Sequence, residues 1–555
     1  MCTNCMPHRD GQATCPHTRA DEAAVPSGPL GSYLREPISR GQLLKAVGGG
    51  LGAALTAGVL NWQLTAADAT SLPYVVLIVL DGARPEYFNI PGIPHVAALK
   101  RAGMEYTNAF AGILEAETPS AHVSIGTGSE PRATGVPSFW WANSDNVEVS
   151  LFSPDKIRAG DMEKIVRRAR VPTLAGMVHA QSRKAKVVAL SGSKYYAADA
   201  IGGPDADITM YFQANTAGHW APTYIPGHAA PASVLNAPGV IANHTNLALG
   251  VQNHLAMKLA VETFTRVRQQ VTLVNLPEFD WPLGHVNGGV LDTSGVKTLM
   301  HTFDSDLAML QDAYRKAGVL NRTLFVLMSD HGMMPLRHRV NQSDITTAVA
   351  KAGTTLVSQA YTSGVYLWVK DAARVTAAAQ NIARLNNPLI QSVYARVRTA
   401  KGYAYTRVTS AKLLRPSGTE AANQYLLSSF NGANAPDVVV AFAEGVGCEP
   451  GGQAGWKADH GGPSWQSQHL SLILSGTGIR SGHVSSYPAR LIDVAPTILQ
   501  VMGASHKGMH GIPLADALTS APGWAVQGQR AASKTLIPAV AALQEQSVLE
   551  LKAGV

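Results

Sequence analysis

Short unbroken apolar runs alternate with longer stretches of helical period along most of the chain. The first run is Tyr74 to Leu80 (YVVLIVL), followed at once by Asp81 and Gly82. A Val- and Ile-rich run of this length, without polar alternation, predicts a strand buried on both faces, as in a parallel sheet. Similar runs recur at 185–190 (AKVVAL), 271–276 (VTLVNL), 323–328 (TLFVLM), 437–442 (DVVVAF) and 470–474 (LSLIL). Helices are predicted over 172–184, 247–268 and 293–317. This alternation predicts an α/β fold, a three-layer αβα sandwich with a mostly parallel central sheet.

Between about 336 and 435 the rhythm continues, but no strand ends in Asp or His. A strand at Tyr361 to Val369, a helix at 372–385 and mixed polar strands at 395–408 predict an inserted α+β cap. The core is then expected at 70–335 and 436–520, with Asp437 to Phe442 returning the chain to it. Residues 521–555 read as an Ala-rich helix or tail. Two stretches read as loops: 191–203, which carries Lys194, and 213–240, which is rich in Pro, Gly, His and Ala. Long loops in compact domains are often functional.

Residues 1–69 have the character of an export leader. Ser39-Arg40-Gly41-Gln42-Leu43-Leu44-Lys45 precedes a glycine-rich apolar run, and Ala67-Asp68-Ala69 offers an A-x-A cleavage site. The layout resembles a twin-arginine signal in which Gly41 replaces the second arginine. The run is too short and glycine-rich for a stable membrane span. Cys2, Cys5, His8, Cys15 and His17 offer metal donors, weighed against an unstructured leader. The export destination is then periplasmic or extracellular.

Composition narrows the class. With 46% apolar and 15% charged residues the chain is globular. Its net charge of +7 comes without a dense Lys/Arg block, so a nucleic acid polymer is not indicated, while an anionic small substrate suits the field. The main body holds one cysteine, Cys448, so it has no internal disulfide. The pattern leaves the oligomeric state open.

The chemistry gathers where the apolar runs stop. Asp81 ends the first run, Asp280 and His285 follow the run at 271–276, and Ser329-Asp330-His331-Gly332-Met333 follows the run at 323–328. His460-Gly461 forms a further corner. Carboxyl ends of strands are where open α/β sheets keep their chemistry. Thr118-Pro119 predicts a helix start with Thr118 as N-cap, beside backbone N–H groups that favour an anion. Mixed carboxylate and imidazole donors suit two divalent ions, Zn²⁺ ahead of Mn²⁺ or Fe. Two such ions clamp a phosphoryl group, and a metal lowers the pKa of a bound hydroxyl.

These motifs together resemble the alkaline phosphatase superfamily, in its type I phosphodiesterase/nucleotide pyrophosphatase branch. The resemblance runs from about Pro73 to Leu518. It rests on Asp81-Gly82, on Thr118 to His122 with Thr127-Gly128, on the full S-D-H-G-M at Ser329 to Met333, and on His460-Gly461. It implies one ion on Asp280, His285 and His460, and another on Asp81, Asp330, His331 and the Thr118 oxygen. It also implies a covalent phospho-threonine at Thr118 that water hydrolyses. A sulfatase of the superfamily would need Cys or Ser at that position.

Three departures bear on substrate. The step from Asp280 to His285 is five residues where the family usually has four, so the loop must bulge. Thr134 stands before Gly135 where the branch often has His. Where nucleotide pyrophosphatases place a phosphate-binding Asn, the stretch reads Pro137-Ser138-Phe139-Trp140-Trp141, with Asn143 the nearest candidate. Lys194 is a second candidate phosphate contact, weighed against a solvated loop lysine. Trp140, with Trp141, the 213–240 stretch and the cap, is a candidate substrate wall, weighed against core packing. The expectation is an exported hydrolase of phosphodiesters or pyrophosphates. Phosphomonoesters and phosphonates are the alternative substrates, and a phosphotransferase or a silent binding protein the more distant ones.

Overall fold

A computed structural model describes residues 72–243, 247–286, 292–408, 416–449 and 455–554. The leader, its cleavage site and its Cys/His cluster lie outside the described residues.

The apolar run at Tyr74–Leu80 is the fifth strand of a nine-stranded sheet. From one edge the strands are His483–Ser485, Gly103–Tyr106, Leu472–Gly476, Thr323–Met328, Tyr74–Leu80, Val271–Leu276, Val187–Ser191, Ile208–Ala214 and Trp220–Tyr224. Tyr74–Leu80 pairs in parallel with both neighbours, as do Val271–Leu276 and Val187–Ser191. The strands Leu472–Gly476 and Trp220–Tyr224 run antiparallel to theirs. Alternation along the central strand explains its unbroken apolar sequence. Val75, Leu77 and Val79 enter one core; Val76, Ile78 and Leu80 enter the other. The helix Thr118–Thr127 packs on the first face. The helices Val251–Val267 and Thr293–Lys316 cover the second. Each fully buried Val, Leu or Ile contributes about 1.5–3 kcal/mol, so this strand is held from both sides.

A second sheet is antiparallel, in the order Leu356–Tyr361, Gly364–Val369, Val438–Phe442, Ile390–Thr399, Gly402–Arg407. Val438–Phe442 is therefore its central strand and does not return to the nine-stranded sheet as expected. A fully apolar run fits the middle of either sheet, and its sequence does not name its neighbours. The 31-residue helix Gly523–Ala553 is tied to this region, where Thr419 Oγ1 donates to Gln546 Oε1 at 2.8 Å and Gln391 Nε2 to Glu550 Oε1 at 2.9 Å.

Both expected loops contain regular structure. Lys194 is followed by a helix, Tyr195–Gly202. The 213–240 stretch holds the end of the eighth strand of the sheet, all of the edge strand and a short helix, Ala232–Leu235. Its strands Ile208–Ala214 and Trp220–Tyr224 stand three and four places from Tyr74–Leu80. Among the described residues no helix is long and apolar enough to cross a membrane.

Candidate active site

The carboxyl ends of three adjacent strands converge on one buried pocket. Asp81 leaves Tyr74–Leu80, Asp280 follows Val271–Leu276 by one tight turn, and Asp330-His331 follows Thr323–Met328. Gly82 makes the first corner possible. Its φ is +70°, its N–H donates to Asp330 Oδ1 at 3.0 Å, and a Cβ there would lie 3.2 Å from Asp280 Cβ. The bulge expected between Asp280 and His285 is a π-type turn, in which the N–H of His285 donates to the carbonyl of Asp280 at 3.0 Å. The extra residue is absorbed, and His285 Nε2 still comes within 3.0 Å of Asp280 Oδ1.

Thr118 is the first residue inside its helix, one place later than expected; Glu117 is the N-cap, with extended backbone. Glu117 Oε2 accepts from the Phe139 N–H at 3.0 Å, which fixes that cap from outside the helix. The first-turn N–H groups beside Thr118 have no intrahelical partner.

Lys194 takes the buried one of its two expected places. It is not a solvated loop residue but is 6% exposed. Its Nζ donates to Asp280 Oδ2 at 2.6 Å, Asp81 Oδ1 at 2.9 Å and Thr118 Oγ1 at 3.2 Å. Burial presses the ammonium toward neutrality, but Asp280 and Asp81 outweigh it and hold it charged. Burial pushes Asp280 up, yet Lys194 and His285 keep its carboxyl well below the usual range. Burial likewise works against Asp330, which His331 and His122 hold well below that range.

The histidines share a design. His285 Nδ1 lies 2.8 Å from the carbonyl of Ala458, His331 Nδ1 2.9 Å from that of Gly332, and His460 Nδ1 3.1 Å from that of Ala116. A carbonyl only accepts, so each Nδ1 carries a proton and each ring turns its Nε2 toward the pocket, where a bound cation would take the Nε2 lone pair. His460 Nε2 is 3.4 Å from Asp280 Oδ1, and His331 Nε2 is 3.4 Å from both Asp81 Oδ1 and Asp330 Oδ2. The rings of His331 and His460 stack at 3.5 Å. Burial and the neighbouring His331 press His460 down to about 4. His331 is raised to about 9, because Asp330 and Asp81 outweigh its burial.

Asp280 Oδ1, Asp330 Oδ2 and His331 Nε2 are buried without a hydrogen-bond partner. Buried acceptors facing one another in this way are costly unless a cation joins them. Asp280, His285 and His460 bring ligand atoms within 4.8 Å of one another; so do Asp81, Asp280 and His331, and Asp81, His122 and Asp330. The donor set thus fits divalent ions. The pocket brings together Asp81, Thr118, Asp280, His285, Asp330, His331, His460 and Lys194.

Other candidates fall elsewhere. Asn143 Oδ1 accepts the N–H groups of Asp145 and Val147, closing the hairpin between Trp140–Ala142 and Glu148–Ser150. Trp141 is buried, while half-buried Trp140 packs with Phe139 and Phe152 at 5.5 and 5.6 Å. Phe139 continues to Tyr196, 4.8 Å away and two residues from Lys194. Sequence reasoning missed His122 as part of the pocket, although it lies four residues after Thr118 on one helix face. It also missed Asn275, the one amide in an otherwise apolar strand end, and Trp456, whose ring lies 3.9 Å from His285.

The profile of the type I phosphodiesterase / nucleotide pyrophosphatase family matches residues 75–461. No curated protein sequence matches the chain. Among solved structures it is similar to wild-type alkaline phosphatase PafA, at 14% identity and TM-score 0.61, over 80% of this chain and 99% of that one. Human ectonucleotide pyrophosphatase/phosphodiesterase 5 matches at 14% identity and TM-score 0.55, over 80% and 100%. An inactive form of the murine protein with AMP matches at 13% and 0.52, over 82% and 99%. These likenesses show an alkaline phosphatase-like fold. The match covers more than half of the chain, from the first core strand to the His460-Gly461 corner: the protein belongs to the type I phosphodiesterase/nucleotide pyrophosphatase family and is a metal-dependent phosphoesterase.

Proposed function

We propose that the protein hydrolyses phosphodiester or pyrophosphate bonds of small substrates through a covalent phospho-threonine at Thr118. One observation carries the reading: three histidines pinned at Nδ1 by backbone carbonyls turn Nε2 toward unpartnered carboxylate oxygens beside a buried threonine. Asp280, His285 and His460 would hold one ion, and Asp81, Asp330 and His331 with Thr118 Oγ1 the other, Zn²⁺ being first choice. When bound, such ions polarise the phosphoryl group and ease deprotonation of the threonine hydroxyl.

The chain's own residues do the rest. Thr118 Oγ1 forms a bond to phosphorus as the bond to the leaving oxygen breaks, and that oxygen departs with a proton. Water then breaks the phosphorus–Oγ1 bond, releasing the phosphorylated product and restoring the hydroxyl. First-turn N–H groups of the Thr118 helix bind phosphoryl oxygens, aided by the helix dipole. Lys194 supplies a fixed cation 3.2 Å from Thr118 Oγ1. Trp140 and its aromatic neighbours flank the helix that follows Lys194 and offer a face to an aryl or base leaving group. The leader pattern at 1–69 supports export of the enzyme to the periplasm or beyond.

Lys194 also favours a second reading, phosphomonoester hydrolysis. A monoester presents one more charged oxygen, and a buried lysine beside the nucleophile suits it. The deciding experiment measures metal content and turnover of diester and monoester chromogens by the purified chain. About two ions and diester preference support the proposal; two ions and monoester preference shift it to the second reading. Thr118→Ala should retain metal and lose turnover by several orders of magnitude; near-normal turnover would sink the role of Thr118.

A further inference from the structure

His122 differs from the other three pocket histidines. Its Nδ1 lies 2.9 Å from the carbonyl of Thr118, so it too carries its proton there. That Nδ1 is also 3.3 Å from Asp330 Oδ2, whereas its Nε2 lies 3.0 Å from Asn275 Nδ2. The same Nδ2 donates to Asp81 Oδ2 at 2.7 Å. Asn275 Oδ1 accepts from Ser191 Oγ at 2.8 Å, and Ser191 Oγ accepts the N–H of Lys194 at 3.1 Å.

This orientation of the amide is forced. Turned over, Asn275 would set a carbonyl oxygen against the Asp81 carboxylate and a second acceptor against His122. As placed, both amide hydrogens and the carbonyl oxygen are used, with Asn275 wholly buried. Register explains how the three groups meet. Ser191 and Asn275 are direct partners on adjacent parallel strands. Asn275 is level with Val79, and Asp81 stands two residues further on the same face. A buried amide in a central strand is costly unless fully bonded, and here its bonds run only to site residues and to Ser191.

We infer that Asn275 is the positioning residue of the second-ion pocket: it orients the Asp81 carboxylate and occupies His122 Nε2, keeping His122 out of the metal's shell. Asp81 Oδ2 is held by the amide, which leaves Oδ1 as the oxygen facing Lys194 and His331. His122 then steadies the first turn of the Thr118 helix through the Thr118 carbonyl instead of acting as a ligand. This inference rests on the two-ion reading above and predicts that the two ions respond differently to a change at Asn275.

The test uses the full chain and zinc alone, titrated against a chromophoric chelator. Asn275→Leu keeps the volume and removes every polar contact. It should weaken one zinc by about 10–100-fold, the usual effect of losing an outer-sphere partner, and lower kcat in parallel. The other zinc, on Asp280, His285 and His460, should keep its affinity within about 3-fold, which also shows that the fold survives. Ser191→Ala leaves both amide donors in place and should change either affinity by less than about 3-fold. Equal loss of both ions, or no loss of either, in Asn275→Leu would overturn the role of Asn275 while leaving the two-ion reading intact. A wild-type chain that binds fewer than two zinc ions would overturn the two-ion reading and this inference with it.

Discussion

Replacing Lys194 by Met keeps the length of the side chain and removes its charge. Asp81 Oδ1 and Asp280 Oδ2 then lose a cation at 2.9 and 2.6 Å. At an effective dielectric of about 20, each contact is worth about 6 kcal/mol before desolvation. The ammonium itself loses several kcal/mol of hydration on burial, so removing it should destabilise the metal-free protein by about 3–5 kcal/mol. At about 2.1 cal/mol/K of unfolding entropy per residue, a chain of 555 residues carries about 1.2 kcal/mol/K. The melting temperature of chelator-treated protein should therefore fall by roughly 3–4 °C. Excess zinc gives the same carboxylates a new partner, so the gap should narrow by at least about half in the loaded protein. Turnover of the loaded variant should drop by about 10²–10³, the range for losing one preorganised donor to a developing charge. Scanning calorimetry with and without zinc reads all but the last of these. Equal melting in chelator, or a gap that zinc leaves unchanged, would refute the electrostatic account of Lys194.

Two further predictions test the frame around the pocket. Gly82→Ala forces a side chain into φ +70° and sets its Cβ 3.1–3.3 Å from Met333 and Asp280, so it should destabilise the protein by about 1–3 kcal/mol and weaken zinc binding, read by thermal melts and chelator competition. At Asp207 burial raises the carboxyl, but His179, Lys186 and the Val187 N–H outweigh it and lower it from the usual 3.8 to about 2. Its stabilisation is full above about pH 4, where both folded and unfolded forms are ionised, and is lost as pH falls through about 2, since the unfolded chain takes the proton first. Asp207→Asn should flatten the stability curve over that window; an unchanged acid limb in urea melts would contradict it.

What could be read from the sequence follows from what the residues are asked to do. The strands ending at Asp81 and Asp330 were legible because burial on both faces demands unbroken apolar runs and the acids punctuate them. The helix Tyr195–Gly202 was not, because all but its first residue are buried and no polar face marks its period. Lys194 stayed between two readings for a related reason. Its partners Asp81, Thr118 and Asp280 are remote in the chain, so nothing local distinguishes it from a solvated lysine. The five-residue step from Asp280 to His285 did announce its bulge, since backbone length is local information. Val438–Phe442 carried no such mark: five apolar residues fit the centre of either sheet. Asn275 was visible as an amide in a strand, but its meaning depends on Ser191 beside it in register and on His122 above it.

The second sheet stands in the sequence between two halves of one pocket. Asp81, Thr118, Lys194, Asp280, His285 and Asp330-His331 are all translated before its first strand, Leu356–Tyr361; His460 is translated after its central strand, Val438–Phe442. A growing chain therefore carries every acid of the pocket for the whole time needed to synthesise and fold that sheet, with the last imidazole still missing. Throughout that interval Lys194 is already synthesised and, with His285 and His331, is available from the chain itself to neutralise Asp81 and Asp280. Fragments ending before residue 460 should thus hold the two-acid cluster through the lysine and these two histidines, and only the completed chain presents the stacked His331–His460 pair.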